Sequence, residues 1–396
     1  MIWLSYVAGF LTLIGLGQAV YGSLLATRFA ATRRPPPQQR TPVTVLKPLY
    51  GDEPLLEEAL SSHCRQNDWP FQLVCGVQSP DDAALAVVQR VRDRFPDADI
   101  AVVVDPTDHG PNRKVGNLIN MLPAAKHRLL AIADSDLHVA PGYLERIVTA
   151  IEAPGCGLVT TLYAGFPASR GLTGALGATA ITHYFLPGAL LARGMGRQDC
   201  LGATMALQRD TLARIGGLEA LVTHLADDNA LGRLVSGLGL SVRLADTIPS
   251  VTVPEIRIAA LFRHELRWAR TIRALEPAAF AASCLQYPLV WAALSRVFSG
   301  GAIWAAFLFL VAWLLRAMAA HRIDQALRPL LSGVAFPVSF WLLPLRELMS
   351  IVVMIASYGG DSVDWRGHTM LADGPVSPLQ PVSTKPISPT PVPPAP

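Results

Sequence analysis

The sequence predicts an α/β domain with membrane helices at both ends of the chain, and three observations support that prediction. Between Val43 and Ala133, apolar runs of strand length alternate with helical patterns, which is the order of a layered domain with a mostly parallel sheet. Uncharged apolar stretches long enough to cross a bilayer occur near both ends. Only 16% of the 396 residues are charged, whereas a soluble domain usually carries about a quarter.

The N-terminal segment predicts a membrane anchor at residues 1–27, which contain no charged residue. As a helix it would span roughly 40 Å, and the hydrocarbon core of a bilayer is about 30 Å thick. It lacks the basic start of a secretory signal, and its apolar stretch is too long for one. Several arginines follow at once, so the positive-inside rule places the next segment in the cytoplasm and the N-terminus outside. Residues 28–42, which include "RRPPPQQRTP", predict a stiff polar linker.

The α/β domain is expected to occupy residues 43–255. Its first four predicted strands are "VTVLKPL", "FQLVCGVQ", "DIAVVVD" and "HRLLAIAD", and the helices between them are "PLLEEALSSHCRQ", "DDAALAVVQRVRDRF" and "KVGNLINMLPAA". Ligands of open parallel sheets bind outside the carboxyl ends of the strands. The sequence therefore predicts a site directly after the fourth strand, where Asp134 and Asp136 lie.

The C-terminal part of the chain predicts an interface segment, membrane helices and a tail. Residues 256–276, "IRIAALFRHELRWARTIRALE", form a basic amphipathic pattern typical of a helix at a membrane surface. Residues 277–360 hold two uncharged runs of 19 residues, separated by Arg296, and a third apolar region that charges and prolines interrupt. We expect two membrane helices followed by one broken helix or a re-entrant pair. Residues 361–396 are Pro-rich and predicted to be disordered.

A further apolar stretch, residues 171–194, admits two interpretations. It is long enough to span a membrane, but it is rich in glycine and contains His183 and Pro187. An interfacial helix is therefore favoured over a membrane span.

Several function classes are excluded by composition and motifs. The net charge is only +3, and no basic stripe interleaved with aromatic residues suggests a nucleic-acid partner. Five scattered cysteines without a CxxC pair argue against a disulfide framework or a zinc site. No G-x-G-x-x-G follows a strand, which excludes a dinucleotide-dependent dehydrogenase.

The D-x-D formed by Asp134 and Asp136 is the first candidate site. Residues i and i+2 of an extended chain face the same way, so both carboxylates can address one ion or one nucleotide. Mg²⁺ and Mn²⁺ prefer such oxygen ligands together with substrate phosphates. Acidic triplets are also common in surface loops. The position of this one at the end of a strand is what favours a metal or nucleotide site.

Two further polar clusters accompany the D-x-D. In "LADDNALGRL", Asp227 and Asp228 either complement the dipole of the helix they open or supply a functional carboxylate. In "HGPNRKVGNL", Lys114 and Asn117 are candidate phosphate contacts at a helix start, although a solvated loop would look the same.

The segment "RHELRWARTIR" places Arg263, Arg267 and Arg270 on one helical face. One interpretation is a helix that adheres to anionic lipid. The other is that Arg267 grips a phosphate with its planar fork while Trp268 forms an aromatic wall beside it. The pair Arg346–Glu347 next to apolar runs is either a functional site or a structural ion pair.

In combination these motifs resemble a GT-A glycosyltransferase. More narrowly, the chain resembles the ceramide glucosyltransferase family, glycosyltransferase family 21, with its bacterial hopanoid-associated relatives. The matching stretches are "LKPLYG" (46–51), "CGVQSPDDAA" (75–84), "GPNRKVGNL" (110–118), "ADSDLHVAPGYL" (133–144), "ADDNA" (226–230), "HELRW" (264–268), "RELMS" (346–350) and "WRG" (365–367). The resemblance implies a GT-A fold, Rossmann-like with a mostly parallel sheet, and transmembrane helices at both ends.

The family signature is three separated aspartate sites followed by (Q/R)xxRW. Asp134, with Asp136, matches the second site and Asp228 the third, where the resemblance implies a catalytic base. Ser79 stands where the first aspartate is expected, so Asp81 or Asp82 would contact the nucleotide instead.

The last motif matches at two of its three fixed positions. Arg267 and Trp268 are present, whereas His264 replaces the expected Gln or Arg. These three residues are assigned to the catalytic group with Asp228. Lys47, Lys114 and Asn117 join the expected nucleotide contacts.

The resemblance implies transfer of a sugar from a UDP-sugar to a lipid hydroxyl with inversion, at the cytoplasmic face of a bacterial inner membrane. Mg²⁺ or Mn²⁺ held by Asp134 and Asp136 would act as a Lewis acid on the diphosphate, and Arg267 and Lys114 would share that role. Two alternatives remain: a processive polysaccharide synthase, and a non-catalytic membrane scaffold suggested by Ser79 and His264. The sequence does not select the sugar, nor does it select ceramide, diacylglycerol or a hopanoid as acceptor.

Overall fold

The computed structural model describes residues 2–32, 34–66, 69–331, 337–365 and 368–371. A π-helical turn, Ile181–Phe185, joins the sixth and seventh helices into one helical segment. In chain order the elements are α1 (Ile2–Ala31), β1 (Val43–Pro48), α2 (Leu56–Cys64), β2 (Phe71–Val77), α3 (Ala84–Arg94), β3 (Ile100–Val104), α4 (Arg113–Met121), β4 (Leu129–Ala133), β5 (Leu137–His138), α5 (Tyr143–Ile151), β6 (Cys156–Thr160), β7 (Ala164–Pro167), α6 (Leu172–Ala180), α7 (Leu186–Gly194), β8 (Thr204–Gln208), α8 (Arg209–Arg214), α9 (Asp227–Gly237), β9 (Ser241–Leu244), β10 (Ser250–Val253), α10 (Ile258–Leu275), α11 (Pro277–Ala282), α12 (Pro288–Phe298), α13 (Ile303–Leu327), α14 (Leu342–Ser357), β11 (Ser362–Trp365) and β12 (His368–Leu371).

A seven-stranded sheet in the order β3-β2-β1-β4-β8-β6-β9 forms the centre of the α/β domain. The four predicted strands are its first four members and are parallel to one another. β8 runs antiparallel to both β4 and β6 and joins the two halves of the sheet. Every residue of β4 is buried, which explains its continuous apolar sequence "LLAIA". The prediction of an α/β fold with a mostly parallel sheet is confirmed.

A second sheet, β5-β10-β7, holds the turn that follows β4 in place. β5 begins at Leu137, only four residues after Ala133, and pairs antiparallel with β10. The amide of Thr252 in β10 donates to the carbonyl oxygen of Asp136 at 3.1 Å. The D-x-D turn is therefore tied to β4 on one side and to β10 on the other.

Three helical segments are long and apolar enough to cross a membrane: α1, the segment Leu172–Gly194 and α13. The pair Pro277–Gln286 and Pro288–Phe298, bent by 69°, is a fourth candidate within the described residues. α1 packs against α12 and α13. A β-carbon at Gly15 would lie 2.4 Å from the carbonyl oxygen of Leu285, so a small residue permits this close approach.

The helix boundaries differ from the sequence prediction at several points. α1 continues to Ala31, four residues past the predicted end of the anchor, and Arg28 in its last turn complements the helix dipole. The first C-terminal run bends near Pro288, which has no amide hydrogen to continue a helix. α13 does not end at residue 315 but runs to Leu327.

Two other segments also differ from their sequence predictions. The stretch 171–194 forms a helical segment from Leu172 that is largely buried against the rest of the protein and passes the length and hydropathy test for a span. The predicted disordered tail starts with the hairpin of β11 and β12. Residues 372–396 of that tail, and Arg366 and Gly367 of the "WRG" motif, lie outside the described residues.

Buried charges connect the membrane helices to the α/β domain. Arg346 of α14 makes two 2.6 Å hydrogen bonds to the carboxylate of Glu265 in α10. Glu347 accepts from the Tyr184 hydroxyl at 3.1 Å and from the amide of Leu289 at 2.7 Å. The adjacent residues Arg346 and Glu347 therefore each have a partner on another helix, as expected of a structural arrangement.

Arg346→Met is expected to destabilise the protein by about 3–5 kcal/mol, because it leaves Glu265 charged and nearly buried without its partner. The double variant Arg346→Met/Glu265→Met should recover part of this loss, since it removes both charges. Thermal unfolding of the detergent-solubilised protein measures the effect.

Arg128→Gln is the matched control, because the Arg128–Asp210 pair is exposed and worth at most about 1 kcal/mol. Equal losses from Arg346→Met and Arg128→Gln would contradict the structural role of the Glu265–Arg346 pair.

Candidate active site

Asp134 and Asp136 lie in the turn between β4 and β5, and Lys47 supports this turn from beneath. The buried ammonium of Lys47 donates to the carbonyl oxygens of Asp134 at 2.5 Å and Leu137 at 3.3 Å. Lys47 therefore holds the backbone of the D-x-D. Its side chain has no exposed surface, so Lys47 contacts the turn and is not placed to touch a ligand directly, as the sequence prediction had it.

Negative charge is concentrated at this turn. Burial, together with the charges of Asp134 and Glu53, raises the pKa of Asp136 to about 7. Burial also lowers the pKa of Lys47 to about 8, against the opposing effect of Asp136 and Asp134. Ser135 donates a short hydrogen bond to Glu53, which brings a third carboxylate to the turn. A divalent cation would offset this crowding of carboxylates.

The carboxylates at the turn fit a Mg²⁺ or Mn²⁺ ion that is bound jointly by the protein and by a substrate. Asp134 and Asp136 offer carboxylate oxygens, the ligand type that both ions prefer. Among the described residues, no group of three or more His, Cys, Asp or Glu side chains is arranged to hold a metal. A cation here would take its remaining ligands from substrate phosphates and water.

Lys114 bridges the D-x-D and the acidic cluster of α9. Asn112 caps α4 by accepting a hydrogen bond from the amide of Val115 at 3.1 Å, which fixes the helix start. The Lys114 ammonium then lies 2.8 Å from an oxygen of Asp134 and 3.5 Å from one of Asp227. Burial lowers the pKa of Lys114, but the charges of Asp134 and Asp227 outweigh it and hold the pKa above its ordinary value.

Asp228 lies in the first turn of α9, next to Asp227. Burial and the charge of Asp227 raise its pKa to about 6, although Lys114 opposes the shift. Its Oδ1 accepts from the amide of Asn229 at 2.8 Å, and a β-carbon at Gly202 would lie 3.0 Å from its Oδ2. The α9 N-cap is Ala226 and makes no side-chain capping bond, so neither aspartate acts as the cap.

Three other residues were predicted to contact the nucleotide. Asp82 and Asn117 make hydrogen bonds within the protein, whereas Asp81 is exposed. Asp82 accepts from the amides of Gly51 at 2.8 Å and Ala84 at 2.9 Å, which ties the "LKPLYG" loop to α3. Asn117 is buried and donates to the carbonyl oxygen of Gly76 at 2.8 Å. Asp81 is exposed at the carboxyl end of β2.

Trp268 of the α10 motif packs against an apolar cluster formed by Ala178, Ile181 and Val253. Trp268 packs in the same cluster as Tyr163, with Phe185 beside them. The rings of Tyr163 and Phe185 stack at 4.7 Å. Burial and the charges of Asp228, Asp134 and then Asp136 raise the pKa of Tyr163, which places this ring close to the carboxylates. Tyr163 and Trp268 therefore pack against the same apolar cluster.

His264 has a partner that the sequence did not reveal. Its Nδ1 lies 2.5 Å from an oxygen of Glu255, and its ring meets Trp268 edge-on at 4.4 Å. Burial raises the pKa of Glu255, but the hydrogen bond from His264 and the charge of Arg267 hold it below its ordinary value. Glu255 and Tyr163 follow apolar strands without a motif, so only the fold identifies them.

The rest of the basic face of α10 binds the C-terminal segment of the protein. Arg270 donates to the carbonyl oxygen of Ser362 at 2.5 Å, and Arg273 pairs with Asp361. The Arg273 guanidinium also lies 5.2 Å from the centre of the Tyr358 ring. Arg270 and Arg273 are therefore engaged by the C-terminal segment of the protein.

Comparison with known protein families gives one match that covers most of the chain. The model described as "Glycosyl transferase family 21" matches residues 7–374. The chain belongs to glycosyl transferase family 21. The family resemblance drawn from the motifs is confirmed.

Curated relatives agree with the family. Ceramide glucosyltransferase of Komagataella phaffii is 32% identical over 122 residues, which are 30% of this chain and 24% of that protein. Ceramide glucosyltransferase 1 of Caenorhabditis elegans is 23% identical over 241 residues, 59% of this chain and 50% of that protein. The aligned parts thus span half or less of these relatives' lengths.

A mannosyltransferase from Pyrobaculum calidifontis, solved in complex with GDP-Man and Mn²⁺, has a similar fold. The TM-score is 0.51 at 18% identity, and the alignment covers 90% of this chain and 99% of that chain. This likeness concerns the fold alone and confirms the predicted GT-A class for this family 21 member.

Lys114→Met is expected to lower the unfolding temperature at pH 7.5 and to lower it less at pH 5. The variant leaves Asp134 and Asp227 without their shared cation, a loss of about 1–3 kcal/mol for hydrogen bonds to a charged group. Lys114 also opposes the raised pKa of Asp228, so in the variant this carboxyl takes up its proton at a higher pH. At pH 5 Asp228 is largely protonated in the variant, so less repulsion remains between it and the carboxylates of Asp134 and Asp227.

Thermal unfolding at the two pH values tests this, with Lys126→Met as the control. Lys126 pairs with Asp99 at the surface, where 59% and 41% of the two side chains are exposed. A Lys114→Met penalty that is identical at both pH values would contradict the bridging role.

Proposed function

We propose that this family 21 chain is an inverting glycosyltransferase that moves a sugar from a UDP-sugar to the hydroxyl of a membrane lipid. The observation that carries the proposal is the Lys114 bridge, which brings Asp134 of the D-x-D and the Asp227–Asp228 pair into one site. The proposed site for a metal-bound diphosphate therefore lies next to a carboxylate with a raised pKa. Transfer from a diphosphate to an alcohol requires these two parts.

The D-x-D turn is the proposed donor site. Asp134 and Asp136 would hold Mg²⁺ or Mn²⁺ on the UDP diphosphate, and the bound ion would offset charge on the departing phosphate oxygen. The presence of GDP-Man and Mn²⁺ in the Pyrobaculum mannosyltransferase, which shares the fold, is consistent with this use. Lys114 and Arg267 would add positive charge, while Lys47 keeps the turn in shape. Asp81 is the proposed nucleotide contact, because Asp82 and Asn117 are engaged within the protein.

Asp228 is the proposed general base. With a pKa of about 6 it is mainly ionised at neutral pH, yet it is a stronger base than an ordinary aspartate. It would take the proton from the acceptor hydroxyl as that oxygen bonds to the anomeric carbon. The bond from that carbon to the diphosphate breaks at the same time, which inverts the configuration.

The membrane helices supply the proposed acceptor side. Three helical segments, or four with the bent pair, are candidate spans among the described residues. The segment Leu172–Gly194, one of these candidates, brings Phe185 into a stacked contact with Tyr163. A lipid of ceramide or hopanoid type could keep its tail in the bilayer while its hydroxyl approaches Asp228. The arginines that follow α1 support a site at the cytoplasmic face of the membrane, which we propose to be a bacterial inner membrane.

Single transfer is favoured over processive synthesis, because a polymer channel usually needs more spans than the candidates among the described residues. The alternative of a scaffold is disfavoured because Asp134, Asp136, Lys114 and Asp228 are present and arranged together.

The purified protein is expected to add one hexose or N-acetylhexosamine to a lipid when given UDP-sugars, Mn²⁺ and a bacterial lipid extract. Asp228→Asn should reduce transfer by about 10²–10⁴-fold, the usual contribution of a general base, and leave UDP binding within threefold. Mass spectrometry of the lipids and calorimetry with UDP provide the two measurements.

Asp210→Asn is the control, because Asp210 is an exposed surface residue. A long polymer as the product would contradict single transfer. Near wild-type turnover by Asp228→Asn would exclude this residue as the base.

The rate of transfer should also depend on pH through Asp228. With saturating Mn²⁺ to keep the D-x-D ionised, kcat/KM for the lipid is expected to fall about tenfold per pH unit below pH 6, where Asp228 becomes protonated. Initial rates between pH 4.5 and 8 measure this. A level profile down to pH 4.5 would rule out a base with the pKa of Asp228.

A further inference from the structure

Glu53 contacts the D-x-D turn from a distant part of the chain. The hydroxyl of Ser135, the middle residue of the D-x-D, donates a short hydrogen bond to the Glu53 carboxylate, and the two residues are 82 positions apart. Glu53 lies in the loop between β1 and α2, shortly after the "LKPLYG" stretch. This hydrogen bond therefore joins the β1–α2 loop to the turn that carries Asp134 and Asp136.

Ser135 is one of the two central residues of a tight turn. The amide of Leu137 donates to the carbonyl oxygen of Asp134 at 3.3 Å, which closes the turn around Ser135 and Asp136. Ser135 is buried, so its hydroxyl needs a partner within the protein. Glu53 supplies that partner. The contact restrains the turn at the residue that separates the two aspartates.

The loop that carries Glu53 is fixed on both sides of this residue. Before it, the amide of Gly51 donates to the Asp82 carboxylate at 2.8 Å. After it, Pro54 restricts the backbone of Glu53 to extended conformations. Leu56 then enters the hydrophobic core with only 2% of its surface exposed. The carboxylate of Glu53 is therefore presented to Ser135 by a loop with little freedom.

The same loop contains a strained residue, Leu55. Its φ of 64° and ψ of 20° are left-handed, a conformation in which a β-carbon crowds the backbone. Within the described ranges, Leu55 is the only non-glycine residue with a positive φ. Strain of this kind persists where the surrounding structure requires it, and it is frequent at functional sites. Here the strained residue lies between Leu56, which is held in the core, and Glu53, which is held at the D-x-D turn.

We infer that Glu53 is a positioning residue, which through the hydroxyl of Ser135 fixes the D-x-D turn in the shape that binds the cation of the nucleotide-sugar. The inference rests on the proposed function and adds to it a carboxylate that lies outside the aspartate motifs. Glu53 acts through Ser135 and is not a third ligand, since no group of three or more His, Cys, Asp or Glu side chains in the described part of the chain is arranged to hold a metal.

A double-mutant cycle between Glu53 and Ser135 tests the inference, with Mn²⁺ alone as the probe. Electron paramagnetic resonance of the detergent-solubilised full-length protein measures Mn²⁺ binding, and calorimetry measures UDP affinity in MnCl₂. Glu53→Ala and Ser135→Ala should each weaken Mn²⁺ binding by about 10–100-fold, the usual effect of losing a residue that orients metal ligands. The double variant should lie within about threefold of either single variant, because both changes remove one contact.

Glu53→Gln separates the hydrogen bond from the charge. Its amide oxygen still accepts from Ser135, so Mn²⁺ affinity should stay within about threefold of the wild type. Asp52→Ala is the matched control, because it removes an exposed carboxylate from the same loop, and it should bind Mn²⁺ as the wild type does.

Three results would overturn the inference. Additive losses in the double variant would show that Glu53 acts without Ser135, and a Glu53→Gln variant as weak as Glu53→Ala would show that it acts by its charge or as a ligand. Wild-type Mn²⁺ affinity in Glu53→Ala, with a lower unfolding temperature, would show that the contact only stabilises the loop. Failure of the wild-type protein to bind Mn²⁺ and UDP would instead refute the proposed function, so the two failures are distinguishable.

Discussion

The ion pairs of Lys114 are the interaction on which the site depends. Asp134 and Asp227 are far apart in sequence, and their carboxylates would repel each other in a buried site without a cation between them. The Asn112 cap fixes the first turn of α4, so the position of the ammonium is set by the fold of the "GPNRK" loop. The bridge has two effects at once, because it holds the two acidic clusters together and moderates the pKa of the proposed base, Asp228.

The parts of the fold that could be predicted are those with a local signal. The first four strands are apolar runs separated by helices, and the rule that ligands bind at strand ends located Asp134. Pairings between distant segments have no such signal. The antiparallel entry of β8 and the β5-β10-β7 sheet depend on contacts between residues more than 70 positions apart. Glu255 lies nine residues before His264 but belongs to no motif, so its contact with His264 was not predicted.

The membrane half was harder to delimit for a different physical reason. Composition rules count every charge in an apolar helix as a penalty, whether or not it has a partner. Arg316 in α13 is nearly fully buried, donates to the carbonyl oxygen of His183 at 2.7 Å and lies 4.2 Å from the Tyr184 ring. Because other helices satisfy this charge, α13 extends well past the point where the uncharged run ends.

The contacts of α10 have a consequence for how the protein can be divided. Glu265 binds Arg346 of α14, while Arg270 and Arg273 bind the segment that follows α14. The helix that carries His264 and Trp268 is therefore anchored by residues that lie 81 to 92 positions further along the chain. A fragment cut after Glu276 would keep Glu265 without its guanidinium partner and would leave two arginines without their carbonyl and carboxylate acceptors. We therefore expect the α/β domain and the C-terminal helices to unfold together.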